Sequence, residues 1–240
     1  MTVPLVARRR VVPAILALLV VSLLAACESP RSTPSAASGP QQPTTTIGDI
    51  KVPLPPGEWR EAFSGSKDLS RGTSFRKILV GVNGDVIDRL ILIYLVEIGR
   101  RDYFKPRVNC SHEDYFFETT TVSDKAKEDC WHVRNVSMGL KGDPHWINKA
   151  LDLYAKKMDL YAPAVWVGPR FVRHKDSELL QVDYLWNPDL LLPHPEGQVW
   201  AVEDWANPAI AGDPRKKRVM DETRRWGGEW HPRMQRALPF

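Results

Sequence analysis

Residues 75–98 read FRKILVGVNGDVIDRLILIYLVEI, and their pattern decides the fold. Two apolar-rich runs, 75–82 and 86–98, flank Asn83-Gly84-Asp85. Asn and Gly tolerate positive φ, so this tripeptide between two such runs predicts a β-hairpin. Side chains alternate across a strand. In the second run Ile87, Ile91, Ile93 and Leu95 are therefore expected on one face, with Leu90, Leu92, Tyr94, Val96 and Ile98 on the other. A strand apolar on both faces belongs in the middle of a sheet, covered on both sides.

Working outward, a second hairpin is expected around His174-Lys175-Asp176-Ser177. Leu180, Val182, Tyr184 and Trp186 alternate with Gln181 and Asp183, the period of a half-buried strand. Its partner, residues 164–173, contains Gly168-Pro169, and proline cannot donate to a ladder, which predicts a bulge or an edge there. A helix is expected over 143–161, capped by Asp143 with Pro144 in its first turn. Ile147, Ala150, Leu151, Tyr154, Met158 and Tyr161 form its apolar stripe. Asp213-Pro214 opens a second helix, with Val219, Thr223 and Trp226 inward and Gly227-Gly228 as its stop. These elements predict an α+β domain over residues 51–240, an antiparallel sheet of hairpins with about two helices on one side.

Residues 1–26 read differently. Arg8, Arg9 and Arg10 precede an apolar run from 11 to 26 that is too short for a confident membrane span and has the flanks of a secretory signal. It ends Leu24-Ala25-Ala26-Cys27, which resembles the lipobox of bacterial lipoproteins. The resemblance implies cleavage just before Cys27, lipidation of its sulfur and acylation of the new amino terminus. Several acyl chains on one residue hold far more firmly than a single one. Glu28 follows, and by the enteric sorting rule the absence of Asp there leans toward the outer membrane. The partner so implied is a membrane, reached through the anchor. Residues 27–50 are rich in Pro, Ser and Thr and are expected to form a disordered tether. The chain's formal +4, less the three signal arginines, leaves +1, so no nucleic-acid partner is expected. The Val52–Trp59 opening, VPLPPGEW, is similar to the start of some uncharacterised bacterial secreted domains.

Chemistry-bearing motifs are few. With Cys27 lipidated, Cys110 and Cys130 remain, and an oxidising compartment makes a disulfide their expected state. Cys110-Ser111-His112 and Cys130-Trp131-His132 also make a Cys₂His₂ metal site conceivable, without the spacing of common zinc modules. No nucleophile elbow, zincin helix, phosphate loop or dinucleotide fingerprint occurs, so neither a catalytic set nor a cofactor is expected. Ser64-Gly65-Ser66-Lys67 matches a bare Ser-x-x-Lys pattern without its companion elements and reads as a polar loop. His112-Glu113-Asp114 reads as a solvated turn.

Nine tryptophans are the unusual feature of the composition. Most are expected in the core, Trp186 and Trp226 among them, whereas Trp200 and Trp205 lie in a Pro-rich segment and are the candidates for an exposed binding surface. Arg215-Lys216-Lys217-Arg218 is a basic cluster expected to be solvated. The expectation is a non-enzymatic, lipid-anchored envelope module presenting a surface to a protein or a glycan. The rival is an envelope hydrolase built on His112, Glu113 and His132 near the cysteine pair.

Overall fold

The computed structural model describes residues 43–99, 110, 112, 114–124, 127–138, 145–194 and 198–239. Residues 1–26, the lipobox with Cys27, Glu113, and the expected cap at Asp143-Pro144 lie outside the described residues.

Two strands, β1 (Thr44–Ile47) and β2 (Ile50–Pro53), form a small hairpin. Residues 44–50, read from the sequence as part of the tether, instead form β1, its turn and the start of β2. Three consecutive threonines suit a strand, and Ile47, Ile50 and Val52 gain burial on the main domain. Next come β3 (Arg60–Leu69), β4 (Gly72–Asn83) and β5 (Val86–Ile98), a meander of antiparallel neighbours. The chain then reaches the far edge as β6 (Phe117–Ser123) and returns through β7 (Lys127–Ser137), helix α1 (Trp146–Met158), β8 (Val165–Lys175) and β9 (Glu178–Trp186). β9 closes against β5, giving the antiparallel order β3-β4-β5-β9-β8-β7-β6. Short helices α2 (Pro188–Leu191) and α3 (Asn207–Gly212) lead to the long α4 (Pro214–Ala237).

The fold is α+β and mostly sheet, with β5 in its interior. The two longer helices cover opposite faces instead of the single side expected. Ile91, Ile93 and Leu95 of β5 share a core with Met220, Trp230 and Met234 of α4 and with the β1–β2 hairpin. Leu90 and Leu92 share another with Leu151 and Ala155 of α1. Covering only one face would leave the other row of β5 in water, at about 1.5–3 kcal/mol per large aliphatic side chain.

Ile87 departs from simple alternation. Val82 pairs with Ile87 but Gly81 pairs with Arg89, so Asp88 is an extra residue in β5. One inserted residue inverts the facing of what precedes it. Ile87 therefore joins Leu90 and Leu92 on the α1 side rather than Ile91 and Ile93.

Three further expectations changed. Pro169 sits inside a central strand: the β8–β9 ladder lapses over Gly168–Pro169 and resumes at Arg170 with no shift of register. A Cβ on Gly168 would lie 1.9 Å from the Tyr184 carbonyl oxygen, so glycine here permits a close approach of backbones. Helix α1 ends at Asp159, which adopts φ 53°, and Met158 and Tyr161 are both exposed at 43%. Helix α4 starts as expected, with Asp213 accepting from the Arg215 amide and Pro214 in the first turn, but it runs through Gly227-Gly228 to Ala237. A Cβ on Gly227 would meet the Trp131 ring at 2.5 Å; the residue is a contact point with the sheet and not a stop.

A polar latch holds the far half of α4 to the sheet. Asp129, buried on β7, pairs with His231 at 3.0 Å and Arg173 at 2.7 Å, and accepts from Gln235 at 2.7 Å and Thr121 at 2.5 Å. Burial alone would raise the Asp129 carboxyl. The hydrogen bonds from His231, Gln235 and Thr121 outweigh it and hold the group well below the usual carboxylate range. Arg173 Nε donates to the Leu238 carbonyl at 3.0 Å, fastening the end of the helix as well.

Candidate functional site

Cys110 and Cys130 are joined in a disulfide, with Cα atoms 5.9 Å apart, tying the β5–β6 connection to β7. Glu128 stands beside it, Oε1 3.1 Å from the Cys110 sulfur, and burial raises its carboxyl above the usual value. Sulfurs bonded to each other offer no thiolate to a cation, so these residues do not assemble the conceivable Cys₂His₂ site.

Of the three residues of the rival hydrolase centre, Glu113 lies outside the described residues, and the two histidines differ in their surroundings. His112 is exposed, whereas His132 is fully buried, and the Tyr115 ring stacks on it at 3.7 Å between centroids. Burial, then the charges of Arg170 and Arg134, lower His132 to about 3, with Asp183 opposing. Neither ring nitrogen has a hydrogen-bond partner among the described residues. A neutral imidazole walled off in this way makes a poor general base. Ser64 and Lys67 lie on the exposed edge strand β3, where residues three apart face opposite sides, so they form no dyad.

The tryptophans divide differently from the expectation. Trp200 and Trp205 are not an exposed surface: they are 7% and 0% exposed. Trp200 Nε1 donates to the Leu192 carbonyl at 2.8 Å, and Asn135 Nδ2 donates to the Trp205 carbonyl. Lys216, from the basic cluster, folds inward, 4.4 Å from the Trp200 ring centroid, and donates to the Asp204 carbonyl at 2.6 Å. Arg215 and Lys217 pair with Asp213 and Asp221, both at 2.9 Å, so the cluster is not a uniform cationic patch.

Trp186 and Trp226, expected inside, instead line a surface groove of about 350 Å³ with Leu191, Val219 and Thr223. Both indoles are half-buried. They meet edge to face, centroids 4.8 Å apart at 83°, and Trp226 stacks on the buried Trp230 at 4.9 Å. Exposed Glu222, Arg225 and Glu229, all on α4, form the polar fringe. Strand period two placed Trp186 and helix period placed Trp226 on core-facing rows correctly. Both rings pack against the core with part of their surface left open, and no local pattern reports how completely a neighbouring element will cover them.

On the opposite face a row of directly opposed residues crosses five adjacent strands, apolar on the first two and polar on the last three. Ile78, Leu92, Asp183, Arg170 and His132 are successive directly opposed partners on β4, β5, β9, β8 and β7. Arg170 grips Asp183 with two bonds, Nε at 2.7 Å and Nη2 at 3.0 Å, and Arg134 Nη2 adds a third at 3.3 Å. Burial would raise Asp183, but Arg170 and Arg134 overcome it and lower the carboxyl, which stays ionised in the interior.

No family model matches the chain, and no curated protein or solved structure is detectably similar to it.

Proposed function

We propose that the chain is a non-enzymatic binding module of the bacterial envelope, anchored through acyl chains on Cys27, and that it takes a glycan strand in the groove between β9 and α4. The observation that carries this reading is the pair of half-buried indoles, Trp186 and Trp226, with carboxylates and a guanidinium at their rim. An indole offers a rigid apolar plate to the C–H face of a pyranose ring and loses little side-chain entropy in doing so. Glu222 and Glu229 accept hydrogen bonds from hydroxyls, and Arg225 donates. A few polar groups around an apolar floor is the usual chemistry of a selective small site. The Cys110–Cys130 disulfide supports an oxidising compartment, in keeping with the lipobox. No helix among the described residues is long and apolar enough to cross a membrane, so membrane attachment in this reading rests on Cys27.

The test is co-sedimentation of the purified protein with murein sacculi. Wild type is expected in the pellet, and Trp226→Ala in the supernatant while its dispersed methyl and amide proton resonances away from the groove stay native-like. Leu153→Ala, at an exposed position on α1 away from the groove, should pellet like wild type. Equal pelleting of Trp226→Ala, or none by wild type, would overturn the glycan reading.

A further inference from the structure

The α1 face of the sheet carries a second cleft, of about 410 Å³, which the glycan reading does not use. Its floor is Leu92 and Tyr94 of β5 with Gln181 and Asp183 of β9. Arg76 of β4 and Arg170 of β8 flank it, and His145, Trp146 and Ile147 form its roof at the start of α1. Arg76, Tyr94 and Gln181 are directly opposed in register, so the three side chains stand abreast on one face.

The two guanidiniums differ. Arg170 spends its fork on Asp183. No carboxylate among the described residues pairs with Arg76. It lies over the Trp146 ring at 4.9 Å and the Tyr94 ring at 5.8 Å, and its buried Nε has no hydrogen-bond partner among the described residues. Among the described residues that line the cleft, two guanidiniums stand against one carboxylate. Helix α1 opens onto the same space with no side chain bonded at its N-cap and no acidic residue in its first turn, so its dipole adds positive potential. A buried, unmet donor beside a concave wall invites an acceptor from outside the chain.

We propose that this cleft binds a small organic carboxylate, its anionic group on Arg76 and its flat apolar body between Tyr94, Trp146 and Leu92. A carboxylate matches the one uncompensated charge, and the guanidinium fork can engage both its oxygens. Gln181 supplies an amide that can accept from or donate to a second polar group of the ligand. The volume falls in the range of small-molecule sites, roughly 300–1,000 Å³. A phosphate dianion would leave one negative charge unmet, so carboxylate is the preferred class. The site faces away from α4, so it stands or falls independently of the glycan groove.

The experiment is a titration of the ¹⁵N-labelled full chain with benzoate, followed at the arginine Nε–Hε resonances, with Arg76→Lys identifying the Arg76 signal. Saturable movement of that signal is expected, weakening as salt rises. Benzamide, equal in shape but uncharged, should bind at least tenfold more weakly. Arg76→Met should lose at least tenfold in affinity, and Arg76→Lys should recover part of it. An unmoved Arg76 signal overturns the proposal without recourse to any variant. Equal binding of benzamide reduces the cleft to an apolar slot and overturns it too. Inorganic phosphate displacing benzoate at lower concentration would overturn the assignment to carboxylates.

Discussion

His132 provides a quantitative test of how this sheet manages buried charge. Its imidazole is fully buried and faces Arg170 and Arg134, with Asp183 beside them, Tyr115 stacked above and Glu118 opposite on β6. The folded value of about 3 lies far below the ordinary 6.5. Because the folded value is depressed, the unfolded chain takes up a proton below pH 6.5 that the folded chain refuses. Stability from this residue is therefore complete above that pH and is lost as pH falls toward 3. At pH 5 the loss is about 1.5 units, or about 2 kcal/mol at 1.36 kcal/mol per unit. Asp129 and Asp183, both depressed, exact their losses at lower pH, while the raised Glu97 and Glu128 act in the opposite sense. The contributions of Asp129, Glu97 and Glu128, none of which depends on His132, cancel when wild type is compared with His132→Phe, which keeps a ring against Tyr115 and discards the two unpartnered nitrogens. Asp183, which His132 helps to depress, titrates below the pH range compared. Urea unfolding at pH 7 and pH 5 should show a wild-type decline steeper by about 2 kcal/mol than that of the variant. Equal declines would mean that the imidazole titrates normally, and the reasoning about this polar row would be wrong.

Adjacent glycines on α4 should respond with opposite signs. Gly227→Ala forces a methyl group into Trp131, and overpacking of about 1–3 kcal/mol outweighs the helix-propensity gain of about 1 kcal/mol. Gly228→Ala meets nothing closer than 3.8 Å and should raise the melting temperature. Reducing the Cys110–Cys130 disulfide opens a loop with a sequence separation of 20 and should cost about 3 kcal/mol in urea unfolding; a cost below about 1 kcal/mol would count against its role as a staple. Mass spectrometry of the cell-derived protein should find a mature chain starting at a diacylglyceryl-modified Cys27, and an unmodified residue there would remove the anchor from the functional proposal.

The two candidate sites share an architectural origin. Neither long helix packs on the whole of its face, α4 lying chiefly on β7, β8 and β2 and α1 on β3, so each face has a covered part and a margin. On the α4 face the margin falls beside Trp186, and on the α1 face it falls beside Arg76 and Tyr94. Each margin places apolar floor next to polar rim. The Asp129 latch keeps α4 seated far along its length, so the groove beside Trp226 has a firm wall.

Much was legible locally. The Gly84-Asp85 turn, the Asp176-Ser177 turn, the alternating rows of β5 and β9 and the Asp213-Pro214 start of α4 all follow from short-range chemistry: positive φ, period two and a cap. What escaped has one physical cause, since each case depends on a neighbour distant in the chain. Gly227 looks like a stop until Trp131, nearly a hundred residues earlier, is seen to fill the space where its side chain would be. Ile87 changes face because of how β4 pairs with β5 around Asp88. Trp200 and Trp205 look exposed in their Pro-rich segment until α4 and Lys216 close over them, while Trp186 and Trp226 look internal until the cover runs out. Local dihedral preference and periodicity settle which elements form and which way their side chains alternate; only the packing of one element on another decides which rows are sealed and which remain open to a ligand.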